Sequence, residues 1–132
     1  MSQRVSGTFE VKVSREPPFD DTDGLPMART RCDKTFHGDL AASSVVHMLS
    51  VGTAVAGSAA YVAVEKIGGI LQGRSGSFAL AHVGVMDRGA AKLELTVVPD
   101  SGTEELMGLR GEFCIEIKDG QHYYHFDYVL AP

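Results

Sequence analysis

The chain is poor in cysteine: its 132 residues hold two, Cys32 and Cys114. Two thiols make no disulfide framework, so stability has to come from a packed core, and a cytoplasmic setting is expected. Basic runs are missing as well. Lysine and arginine are scattered, the net charge is −5 and the pI is near 5.4. That balance argues against nucleic acid as a partner, and an anionic membrane surface would repel the chain. There is no long hydrophobic run either. The least polar stretch, 51–64, falls short of the ~20 residues that span a bilayer and carries Gly and Ser. The N-terminal MSQRVSGTFEV lacks the apolar centre of a signal peptide. What remains is 44% hydrophobic, ordinary for one globular domain over 1–132 that can bury a sizeable core.

What is present is period-two patterning. VSGTFEVKVS (5–14) alternates apolar and polar residues and reads as a half-buried strand. Prolines, aspartates and a glycine make 15–26 a loop. ARTRCDKTFHG (28–38) reads as a strand with Cys32, Lys34 and Phe36 on one face. SSVVHMLSV (43–51) fits a strand or a helix; its β-branched content and the following Gly52 favour the strand. Three hairpins follow. The first, 61–86, turns at Gly73-Arg74-Ser75-Gly76; centred between Arg74 and Ser75, it sets Leu71 opposite Phe78 and Ile67 opposite His82. The second, centred between Arg88 and Gly89, pairs His82 with Leu95 and Leu80 with Val97. The third, centred on Asp119-Gly120, pairs Ile117 with His122, Ile115 with Tyr124 and Phe113 with Phe126. Between the last two, 103–111 is a connection with room for one helical turn. Seven or eight antiparallel strands at hairpin spacing predict an all-β barrel or sandwich, and closure would remove exposed edges.

The first hairpin organises the chemistry. One face carries Tyr61, Ala63, Glu65, Ile67, Leu71, Phe78, Leu80 and His82, so a carboxylate and an imidazole lie diagonally across an otherwise apolar surface. Such a pair in a dry cavity can shuttle a proton or orient a substrate group; equally, it can be a satisfied ion pair that only fixes strand register. Other constellations carry less. His122 and His125 are three apart on a strand and point to opposite faces, so no metal site is expected there. The acidic cluster in 15–26 lacks the ligand spacing of a calcium loop. Cys114 faces His125 across the third hairpin, but Glu112, Glu116 and Asp127 surround it, which does not favour a thiolate. GGILQGRSG lacks the ending and following helix of a phosphate loop. Neither a metal nor a cofactor is expected, and the sequence assigns no catalytic residue.

KTFHGDL (34–40), YVAVEKIGGILQGRSGSFALAHVG (61–84) and VVPDSGTEELMGLRGEF (97–113) resemble a bacterial family of uncharacterised proteins. The resemblance spans nearly the whole chain. It implies a single small domain with an allene-oxide-cyclase-like β-barrel. The SGTEELMGLRG segment also resembles the glycine-rich connection before the last hairpin of plant allene oxide cyclases and dirigent proteins. Those barrels are typically homo-oligomers that hold an apolar substrate in a central cavity. Glu105 stands where the bacterial family often has glycine. No catalytic residue carries over, and fold does not imply function.

The expected ligand-binding residues are Glu65 and His82 with Tyr61, Tyr124, Tyr128 and Phe78, in a cavity open at one barrel end. Ala63, Gly69 and Gly84 on the same face are expected to leave room there. Three functions remain in play: binding of a small apolar molecule, cofactor-free isomerisation or cyclisation of one, and an assembly role without ligand. On the opposite face of the first hairpin, Val62, Val64, Val83 and Val85 make a smooth apolar exterior, expected to be a homo-oligomer contact.

Overall fold

The computed structural model describes residues 2–130. Its strands are β1 (Gln3–Arg15), β2 (Met27–Gly38), β3 (Leu40–Gly52), β4 (Ala59–Leu71), β5 (Arg74–Asp87), β6 (Ala90–Val97), β7 (Arg110–Lys118) and β8 (Gln121–Val129). They form a closed eight-stranded antiparallel barrel in chain order, with β8 pairing back onto β1. The segment 43–51 is therefore strand, and it begins earlier than its sequence pattern suggested, directly after the turn at Gly38–Asp39, where Gly38 has φ +107°.

Three hairpins share one turn chemistry. Gln72–Gly73 (φ 46° and 82°), Arg88–Gly89 (49° and 92°) and Asp119–Gly120 (53° and 77°) each put two consecutive residues in the left-handed region, glycine second. That is the backbone a two-residue hairpin needs to match the twist of its strands. The second and third hairpins have the pairing expected from the sequence. The first does not. Leu71 lies opposite Arg74, Ile67 opposite Phe78, and Ala63 opposite His82. A turn centred on Arg74 and Ser75 would have forced two non-glycine residues to positive φ; moving it to Gln72–Gly73 avoids that. The shift is even, so the same side chains face inward, and Glu65 and His82 stay diagonal neighbours.

One end of the barrel is plugged. The 98–109 connection carries a 3-10 turn, Glu104–Leu106, and buries Leu106 and Leu109 beside Leu40 and Leu71. It also supplies acceptors to β5. Ser77 N–H donates to Thr103 Oγ1 (2.9 Å), Ala79 N–H to Ser101 Oγ (3.0 Å) and Ser75 N–H to the Glu105 carboxylate (3.0 Å). These amides precede the β5 residues that pair with β6, so the connection satisfies donors that would otherwise lack a partner. Above the plug sits an aromatic pack. Phe113 stacks on Phe126 (centroids 4.1 Å), Phe126 on Phe78 (5.8 Å), and Phe36 meets Tyr124 edge-on (5.6 Å). The other end is bounded by the loops 16–26 and 53–58 and the two later hairpin turns. There the inward positions Val13, Leu93 and Ile117 are 43%, 41% and 67% exposed, so the interior opens to solvent on this side. The wall is uneven too: β6 and β7 pair only at Leu95–Phe113 and Thr96–Glu112. No described helix is long and apolar enough to cross a membrane.

Candidate functional site

Between the aromatic pack and the open end lies a buried polar cluster strung diagonally across four strands. Lys34 on β2 is directly opposite Ser44 on β3. Ser44 is a diagonal neighbour of Glu65 on β4, and Glu65 of His82 on β5. Period-two alternation turns all four side chains inward. The Glu65 carboxylate is the hub. It accepts from His82 Nε2 (2.7 Å) and Lys34 Nζ (3.3 Å) on one oxygen and from Ser44 Oγ (2.6 Å) on the other. Glu65 and His82 are 1% and 4% exposed. A carboxylate out of water is costly unless its lone pairs are filled, and here three donors fill them. Burial alone would push the Glu65 pKa up. The hydrogen bond from His82, the charge of Lys34 and the Ser44 hydroxyl outweigh it, and the net direction is down. Lys34 Nζ also lies over the Phe9 ring (5.0 Å) and the Phe36 ring (5.8 Å), towards the aromatic pack.

Tyr61 stands on the open side of this cluster, its ring centroid 6.3 Å from that of His82. Desolvation first, then Glu65 and Cys32, raise its pKa to about 12, so the phenol stays protonated. With Met48, Ser50, Gly84 and Leu93 it lines a depression of about 290 Å³ that is almost wholly apolar. The predicted free room beside Glu65 and His82 is partly taken. The Tyr61 ring fills the space a side chain at Gly84 would need, and the β3 backbone at Ala41 and Ala42 fills that at Gly69. Those glycines permit close approach; they do not leave gaps.

The predicted site residues therefore separate into two groups. Glu65, His82 and Tyr61 are together. Phe78, Tyr124 and Tyr128 belong to the core at the plugged end. The Tyr124 hydroxyl accepts from Leu40 N–H (3.0 Å) and donates to the His37 carbonyl (3.0 Å), and the Tyr128 hydroxyl donates to Gln72. Lys34 and Ser44 were not singled out from the sequence, although Lys34 shares an inward face with Cys32 and Phe36; a lysine flanked by apolar residues at period two was the available signal. Ser44 had none, lying in the segment whose conformation was ambiguous.

Outside the barrel, His125 is held between the Ser6 hydroxyl (2.7 Å at Nδ1) and Glu116 (2.9 Å at Nε2), not by Cys114. This serine–imidazole–carboxylate chain lies on a strand surface whose amides are committed to the β1–β8 and β7–β8 ladders, so it has no oxyanion donors. Among the described residues no group of three or more His, Cys, Asp or Glu side chains could hold a metal. A concavity of about 850 Å³ is a groove on the outer wall over β2–β5. Glu65 borders it, but with its side chain fully buried in the barrel it can offer only backbone there.

Fold and site together define a class: a small closed antiparallel barrel with a charged cluster under one open end. The chain belongs to the family DUF3224, a family of proteins of unknown function, whose model matches residues 5–128. It is similar to the crystal structure of a DUF3224 protein of unknown function from Shewanella oneidensis MR-1. The two are 45% identical, with 100% of each chain covered and a TM-score of 0.94. No curated protein matches the chain.

Proposed function

We propose that this protein binds a small, mostly apolar molecule at the open end of its barrel, with Lys34, Ser44, Glu65 and His82 as the polar floor and Tyr61 above them. The observation that carries this reading is the position of the cluster. A purely structural ion pair has no need of an apolar mouth above it, whereas a ligand site combines apolar walls with a few convergent polar groups. An allene-oxide-cyclase-like or dirigent-like barrel, the relation implied by the resemblance of the 97–113 segment, would hold its ligand in the same way, and two free thiols suit a cytoplasmic setting for it. Turnover of the bound molecule would make the protein a cofactor-free isomerase; binding alone would make it a carrier or sensor. Native mass spectrometry of the protein taken from its own host is the test, and a co-purified small molecule is expected. His82→Ala should lower its occupancy while the barrel stays folded. Absence of any bound mass, together with an unfolded His82→Ala, would leave the cluster as a core feature.

A second observation favours self-association. Val62, Val64, Val83 and Val85 are 53%, 58%, 46% and 47% exposed on the outer wall, far more apolar surface than a lone barrel side needs. One row across this wall reads Arg29, Leu49, Val62, Val83, Glu94. Two copies related by a two-fold axis through this face would cover the valines. We infer a symmetric homo-oligomer through this face. Val64→Glu should shift it to monomer in sedimentation at micromolar concentration; a monomeric wild type would end this reading.

A further inference from the structure

The polar floor also selects a head group. Glu65 accepts the hydrogen on His82 Nε2, and a carboxylate can only accept, so in the neutral ring the lone pair lies on Nδ1. Nδ1 has no hydrogen-bond partner among the described residues, yet no buried side-chain nitrogen or oxygen among them lacks one. Nδ1 therefore reaches accessible space, in keeping with the small part of His82 that stays exposed. The Tyr61 hydroxyl has no hydrogen-bond partner among the described residues either, and its ring lies 6.3 Å, centroid to centroid, from that of His82, so it is a free donor on the same side of the cluster. Among the described residues, Lys34 Nζ is bonded to Glu65 and lies against the Phe9 and Phe36 rings, and Lys92, which borders the depression beyond Tyr61, is turned outward beside Glu94.

We propose that the ligand is a neutral molecule with a hydroxyl on a mostly apolar body, a phenol or an alcohol, whose O–H donates to His82 Nδ1 and whose oxygen accepts from Tyr61. This rests on the ligand-binding reading above and narrows it. A carboxylate ligand has no proton to give Nδ1 and would bring a second negative charge beside Glu65. A bare hydrocarbon would leave both polar groups desolvated and unpaired.

Three probes of one shape separate these cases: 2-naphthol, 2-naphthoate and naphthalene, each titrated into the full-length protein at pH 7 by calorimetry and thermal shift. The expected result is that 2-naphthol binds about tenfold or more tightly than either of the others. His82→Gln keeps an N–H for Glu65 but has no second ring nitrogen; it should erase the preference for 2-naphthol and leave naphthalene unchanged. Should that variant fail to fold, nitrogen NMR of His82 in the wild type gives the same answer. Nδ1 should be the unprotonated nitrogen and the one whose resonance moves on adding 2-naphthol. Naphthoate binding as well as or better than naphthol, or Nδ1 protonated in the free protein, would overturn the proposal while leaving ligand binding intact. If none of the three binds or raises the melting temperature, the ligand-binding reading itself falls.

Discussion

The two halves of the barrel interior are made of different material. Towards the plug, Phe36, Phe78, Phe113, Tyr124 and Phe126 stack on one another, and the Tyr124 hydroxyl is spent on backbone. Towards the open end the buried apolar residues are Cys32, Val46 and Ala63, with Met48 and Tyr61 partly covered, and the charged cluster lies alongside. Large rings bury the most area and leave no group unpaired, so the plugged half carries the stability. Small side chains and an ion pair contribute little net energy, because desolvation offsets attraction. What that half has instead is spare hydrogen-bonding capacity at Tyr61 and His82. Stability and availability are thus kept apart along the barrel axis.

Substitutions can sharpen or break this contrast. Phe113→Ala should be the most damaging, at ~3–5 kcal/mol in urea unfolding, because the stack cannot close over the void. Lys34→Met should cost about 3 kcal/mol by leaving the Glu65 charge short of a partner, and adding Glu65→Leu should restore part of the loss, since it removes the unpaired charge but leaves the His82 N–H and the Ser44 hydroxyl without their acceptor. An equal cost for single and double variants would show that the cluster is itself a pillar of the fold, and the contrast would fail. Tyr124→Phe should cost ~1–3 kcal/mol by orphaning the Leu40 amide, with no change in probe binding. The smallest effect is on acid sensitivity. The folded pKa of Glu65 lies below its unfolded value, so its contribution is fully present above about pH 4.3 and is lost as pH falls through the folded pKa. Stability curves of wild type and Glu65→Gln should therefore converge on acidification; parallel curves would mean Glu65 is not the hub.

Much of the barrel was legible because period-two alternation fixes which side chains face inward whatever the register. Leu80, His82 and Phe113 needed nothing more. The register of the first hairpin was not legible from its glycines alone: Gly73 and Gly76 both flank Arg74-Ser75, and only the demand for positive φ at two consecutive positions selects Gln72–Gly73. Asp119–Gly120 obeys the same rule, with glycine second and both residues at positive φ. For the site, pairing between adjacent strands gave Glu65 with His82. Lys34 and Ser44 reach Glu65 through β2 and β3, a relation set by the order of strands around the barrel, which no local pattern encodes. Phe78, Tyr124 and Tyr128 share the inward face with the cluster, but alternation says nothing about height along the axis, and height is what separates them from it.

The circular strand order also bears on how the chain folds. Every ladder except one joins strands adjacent in sequence, and the exception, β1 with β8, pairs Gln3 with Tyr128. Local ladders lose little chain entropy as they form; ring closure has to bring together the distant ends of the sequence. The long β4–β5 hairpin, paired continuously from Ala59–Met86 to Leu71–Arg74, is the natural nucleus. Closure then comes late, and it also brings Tyr124 to the backbone of His37 and Leu40 on the far side of the seam. Weakening β4 or β5 should slow refolding, whereas weakening the β1–β8 ladder should speed unfolding and leave refolding almost untouched.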